Sequence, residues 1–212
     1  MPMNISLTLE LVAVGVCAVT GVLAAEGKQV DLFGVLVLAV VTAFGGGTVR
    51  DLLLGDVPVA WMRNPYYLLT AMLAGLGTFI IARYRSLPRT VLLVADAFGL
   101  ALFTLIGTKK GLAFGVAVPV GVMLGVITGV AGGILRDVLT GTIPLVFRSA
   151  IYLYATAALC GALVYVLVLR WTPSKVVAAG SSLATTLVLR LAAIRWKLGL
   201  PLFHVRCRDA AG

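Results

Sequence analysis

Charge is what this sequence has least of. Across 212 residues only 12% are Asp, Glu, Lys or Arg, with eight acids in all and a single His. A chain so poor in charge cannot cover a soluble body of this size. Cysteine is equally scarce: Cys17 and Cys160 fall inside apolar runs and Cys207 near the end, a spacing that forms neither a metal set nor a disulfide framework. They read as small apolar packing groups. The lone His204 sits in a basic tail with no second ligand beside it. There is no clustered nucleophile and no cofactor fingerprint, so neither catalysis nor a cofactor is expected, and no structural metal. Low-complexity and linker-like stretches are missing too. A cleaved leader is not expected, because Met1 to Ser6 carries no basic residue and Glu10 interrupts the apolar run ahead of "VLAAEG".

What the chain has in abundance is hydrophobic residues, 61% of the total, with a mean hydropathy of +1.10. Spanning a hydrocarbon layer of about 30 Å takes about 20 apolar residues. Such runs occur near 5–25, 31–49, 65–84, 89–108, 112–134, 149–170 and 174–196. The expectation is an all-α integral membrane protein with seven transmembrane helices, and one membrane domain over 1–212. The net charge of +9 would point to nucleic acid in a soluble chain. Here the basic residues lie in the predicted loops, so no nucleic acid is expected and their placement reports orientation. Lys28, Arg83, Arg85, Arg89, Arg190 and Arg195 fall on the richer side, with Arg136, Arg148 and the basic tail 197–212; Lys109, Lys110, Arg170 and Lys175 fall on the poorer one. This places the C-terminus in the cytoplasm, its tail against anionic headgroups, and the N-terminus outside a plasma membrane.

The chain repeats itself. Shifting by 86 residues aligns Glu10 with Asp96, Thr42 with Thr128, Gly46–Gly47 with Gly132–Gly133, Arg50–Asp51 with Arg136–Asp137, Gly55 with Gly141 and Pro58 with Pro144; one deletion later Tyr67 meets Tyr152. The units are about 5–84 and 89–170, with the seventh span, about 174–196, outside them. Each holds three spans, an odd number, so the second enters the membrane from the opposite side. Inverted repeats of this kind are common in transport proteins.

"FGGGTVRDLLLGDVP" and "VAGGILRDVLTGTIP" place glycines ahead of an Arg-Asp pair inside the second and fifth spans. Non-helical backbone at membrane depth is tolerated only beside protein or a water-filled cavity. The expectation is therefore that both helices break, at Gly45, Gly46 and Gly47 and at Gly132 and Gly133, around an internal cavity lined also by Thr42, Thr48 and Thr128. The alternative is that the glycines only allow close helix packing. Charges at this depth mark a pathway or an internal pair. Sequence neighbours on a helix do not face each other, so Arg50 and Arg136 are expected to find partners on other helices, with Glu10 and Asp96 first, rather than Asp51 and Asp137.

This set of features resembles the prokaryotic branch of the trimeric intracellular cation channel (TRIC) family, over nearly the whole chain from Glu10 to about Arg195. The resemblance implies a homotrimer with a pore in every protomer, conducting monovalent cations with a modest preference for potassium. It implies that the second and fifth helices line that pore, with transient K+ near Gly45 to Asp51 and Gly132 to Asp137. Eukaryotic members carry a lysine motif tied to phosphoinositide binding where this chain has "GGGTVRD", so lipid regulation of that kind is not carried over. A second reading is secondary transport of a small solute such as a small amino acid, since paired broken helices are also a carrier signature and the repeat unit of prokaryotic relatives is labelled a glycine transporter.

Cysteine-accessibility labelling in intact cells, with Cys17 and Cys160 first replaced, checks the orientation. Lys109→Cys reacts with an impermeant thiol reagent added outside and Arg85→Cys does not; the opposite pattern reverses the topology.

Overall fold

The computed structural model describes residues 5–85, 87–148 and 153–197. Its helices are α1 (Ile5–Ala24), α2 (Leu32–Leu54), the short α3 (Ala60–Arg63), α4 (Pro65–Tyr84), α5 (Arg89–Ala113), α6 (Val118–Leu139), α7 (Tyr154–Trp171) and α8 (Lys175–Trp196), with a 3₁₀ turn at Leu145–Phe147. Seven of them are long and apolar enough to cross a membrane, as the apolar runs predict. At 1.5 Å per residue, the 23 residues of α2 and the 22 of α6 extend past the hydrocarbon layer. His204 and Cys207 lie outside the described residues.

Both glycine-bearing helices are continuous, which corrects the expected breaks. α2 runs on through Gly45–Gly47 to Leu54, and α6 starts at Val118 and runs through Gly132–Gly133, so the observed spans end five residues beyond the predicted 31–49 and 112–134. The glycines instead let two backbones touch. A methyl group on Gly46 would overlap the Thr128 carbonyl oxygen, and one on Gly132 would stand 2.5 Å from the Thr42 carbonyl oxygen. The two contacts are reciprocal, glycine of one repeat on threonine of the other. No backbone hydrogen bond has to be given up for this approach, so the cost of unsatisfied groups in lipid never arises.

The same economy of side chain joins the remaining spans. Gly125 lies against Thr108 and the Thr104 carbonyl of α5, and Gly161 of α7 against Thr186 of α8. Gly75 packs on Ala39 and Gly121 on Leu112 within the protomer, while Gly77 faces open space.

The repeat is visible in fine detail. Thr42 donates its hydroxyl to the Leu38 carbonyl as Thr128 does to that of Leu124. α2 ends at Gly55 (φ 67°) and α6 gives way to Gly141 (φ 65°), both in the left-handed region where glycine is at least cost. Asp51 Oδ2 then accepts the N–H of Ala60 at 2.9 Å, and Asp137 Oδ2 that of Leu145 at 2.8 Å, anchoring the returning chain in each half.

Gly46→Ala and Gly132→Ala are each expected to destabilise the fold by about 1–3 kcal/mol through overpacking. Gly77→Ala, with nothing to collide with, is neutral or slightly stabilising. Thermal unfolding in detergent separates the two classes; equal melting temperatures for all three would contradict the close crossing.

Candidate functional site

The shared geometry of the two halves places an Arg-Asp pair toward the C-terminal end of each of α2 and α6, on either side of their crossing. Arg50 and Asp51 are almost completely buried, as are Arg136 and Asp137. An uncompensated charge at this depth costs about 2.5–3.5 kcal/mol even on the mildest scale, so each needs a partner. Contrary to the sequence expectation, the neighbours pair: Arg50 lies 2.8 Å from Asp51 Oδ1, and Arg136 Nε 2.8 Å from Asp137 Oδ1. Helix-surface reasoning assumes that water competes for the guanidinium. Here the arginine is buried, and its long arm folds around the helix to the nearest carboxylate. Each aspartate thus neutralises an arginine with one oxygen and holds the returning backbone with the other.

The second partner differs between halves. Arg136 Nη1 also reaches Asp96 of α5 at 2.8 Å. In the first half Glu10 does not pair with Arg50; it accepts a hydrogen bond from the hydroxyl of Tyr67 on α4. Tyr154 does the same for Asp96 at 3.3 Å, so Tyr154 is the counterpart of Tyr67. Tyr152, to which the sequence alignment assigned that place, lies outside the described residues. Arg50 Nη1 and Arg136 Nη2 have no hydrogen-bond partner among the described residues.

Two cations expected in loops belong to the site. Lys110, near the end of α5, binds Asp51 at 2.7 Å and Asp56 at 2.6 Å. Asp56, in the turn after α2, is held below its ordinary pKa first by the Lys110 hydrogen bond and then by that of Arg63. Arg190 of α8, which the charge count assigned to the cytoplasmic face, is fully buried. Its guanidinium lies 4.6 Å from the Tyr154 ring centroid and 3.9 Å from Asp96 Oδ2. The signal for Arg190 was a polar stripe: Ser182, Thr186 and Arg190 are four residues apart, share a helix face and are all fully buried. α8, outside the repeats, therefore completes the second half's charge balance.

Four cavities lie within the protomer; the first meets the second only across the Arg136–Asp137 pair, and the other three share lining residues. One of about 420 Å³ is lined by Glu26, Lys28, Arg89, Asp137, Thr142 and Arg148. Next, a space of about 10 Å³ is bounded by Thr42, Gly46, Asp96, Thr128, Gly133 and Arg136. A third, about 30 Å³, shares Ala43 and Phe103 with it and adds Glu10, Gly47, Arg50, Asp51 and Tyr67. The last, about 490 Å³, shares Glu10 and Ile106 with the third. The two middle spaces hold about one and two waters. Thr48, expected to face the cavity, instead accepts the indole N–H of Trp61 at 3.1 Å. Among the described residues no group of His, Cys, Asp and Glu could hold a metal ion.

Fold and site together define a polytopic helical membrane protein of duplicated design, with neutralised charge at membrane depth. A family model described as Glycine transporter matches the chain twice, over residues 7–83 and 93–170. The chain is 44% identical over 197 residues to the UPF0126 inner membrane protein YadS of Escherichia coli K12, covering 92% of this chain and 94% of that protein. It is 43% identical over 196 residues to a UPF0126 membrane protein of Vibrio cholerae, covering 92% and 81%. Among solved structures it is similar to the TRIC trimeric intracellular cation channel orthologue from Rhodobacter sphaeroides, with 35% identity, a TM-score of 0.87, and coverage of 92% of this chain and 100% of that one. It also resembles a prokaryotic TRIC channel crystallised in 0.5 M KCl, at 28% identity and a TM-score of 0.83, covering 92% and 98%. The chain belongs to the TRIC family.

Removing one partner of a buried ion pair costs about 3–5 kcal/mol. Arg136→Gln and Asp96→Asn are each expected to lose on that order. The double variant should lose less than the sum, because the Arg136–Asp96 contact is lost once rather than twice while Asp137 and Arg190 lose a partner in either case; strict additivity in a double-mutant cycle would show that the pair is not coupled.

Proposed function

We propose that the protein is a cation channel of a bacterial inner membrane, permeable to potassium with modest selectivity, with one conduction path in each protomer of a homotrimer. The observation that carries this reading is the row of four cavities lined by neutralised charges and oxygen atoms. Arg50 and Arg136 would repel a cation if bare, and their bonds to Asp51, Asp137 and Asp96 cancel that repulsion. The Thr42 and Thr128 hydroxyls donate to their own helices, which leaves their lone pairs to replace part of an ion's hydration shell. No ring of identical oxygens surrounds the path, hence the modest selectivity.

The middle of the path is closed to a hydrated ion, so conduction requires the α2–α6 region to widen. Two three-span repeats of opposite orientation supply related halves to that opening, and on the excess of basic residues we assign the cavity with Lys28, Arg89 and Arg148 to the cytoplasmic side. The same closed middle between two large cavities also fits alternating access by a carrier of a small solute, the second reading.

Purified protein in a planar bilayer, with potassium on one side and sodium on the other, decides between them. A channel gives unitary current steps and a small reversal potential; saturable flux coupled to an ion gradient, without steps, identifies a carrier. The paired change Thr42→Val and Thr128→Val keeps shape and removes both hydroxyls, and is expected to lower the potassium current several-fold. In linked trimers, separate pores lose current in proportion to the number of mutant copies, whereas complete loss from one copy would indicate a shared pore.

A further inference from the structure

We infer that the cavity of about 490 Å³ among α1, α5, α7 and α8 is a binding site for an anionic phospholipid. Its size lies within the ~300–1,000 Å³ typical of ligand pockets. Three lysines stand on it, Lys109, Lys110 and Lys175, against the single carboxylate of Glu10. Lys110 is engaged by Asp51 and Asp56, whereas Lys109 and Lys175 are exposed and make no ion pair among the described residues. Both sit at helix ends, Lys109 near the last turn of α5 and Lys175 at the first residue of α8, hence at one membrane surface.

Below the lysines the walls are apolar: Leu105, Ile106, Ala179 and Leu183, with the buried Tyr165 behind them. From Lys175 to Leu183 the groove runs about 12 Å along α8, from headgroup level into the acyl region. Beside Gly180 a side chain would meet nothing within 4 Å, so the slot is open. A soluble anion would satisfy the lysines and leave these walls uncovered. A phosphodiester carrying an acyl chain satisfies both parts.

The cavity is also the last of the four along the proposed path, and the test reads lipid binding alone, so its outcome is separate from that of the bilayer recording. Native mass spectrometry of the detergent-solubilised protein, titrated with phosphatidylglycerol or phosphatidylcholine, is expected to show selective retention of phosphatidylglycerol at one lipid per protomer. With about fivefold in affinity per lysine near a membrane surface, Lys109→Gln with Lys175→Gln lowers that preference on the order of 25-fold. Gly180→Phe fills the slot from the other end without a backbone clash and displaces the lipid with the lysines intact. Equal retention of both lipids, or unchanged retention in both variants, overturns the proposal. So does crosslinking of Lys109 or Lys175 to a second copy of the chain, which would show the groove covered by protein.

Discussion

Asp51 and Asp137 are the joints on which the rest of the structure turns. One oxygen of each cancels an arginine that lipid would otherwise make prohibitive, and the other fixes the chain as it returns after the left-handed glycine. Because both tasks fall to one carboxylate, the helix end, the turn and the charge balance are set together. This also explains why the helices need not break. The charges are satisfied at the far ends of α2 and α6, and the glycines between serve only to bring the two backbones into contact.

The contact itself divides the protomer into related halves and gives it a shared middle. Gly46 on Thr128 and Gly132 on Thr42 are one interaction made twice. Packing this tight is usually bistable rather than compliant, which suits a barrier between two wet cavities. Around it, small residues meet hydroxyls between α5 and α6 and between α7 and α8, so these helices are held by close fit and short polar contacts, the forces available where lipid tails offer no hydrophobic contrast.

Much of this was legible in the sequence, for identifiable reasons. Seven apolar runs announce seven spans because the hydrocarbon layer sets a length, and the 86-residue repeat brings out Glu10, Asp96 and the two Arg-Asp pairs at once. Continuity through Gly45–Gly47 was not legible, since a run of glycines permits a break and a close crossing equally. Arg190 was missed because an arginine near the end of an apolar run looks interfacial; only the spacing of Ser182, Thr186 and Arg190 betrays a buried face. Lys110 was hidden beside Lys109, as two adjacent lysines read as one loop until their different surroundings are seen.

Within the buried charge network, Lys110 and Arg190 are the cations without a counterpart in the other repeat. Lys110 is partly exposed and bridges Asp51 to Asp56, while Arg190 is sealed against Tyr154 and Asp96. A path with matching halves would present the same electrical landscape from either end. An ion following the proposed path would meet a partly exposed positive charge at one end and a sealed one at the other, so entry from opposite directions would face unequal barriers.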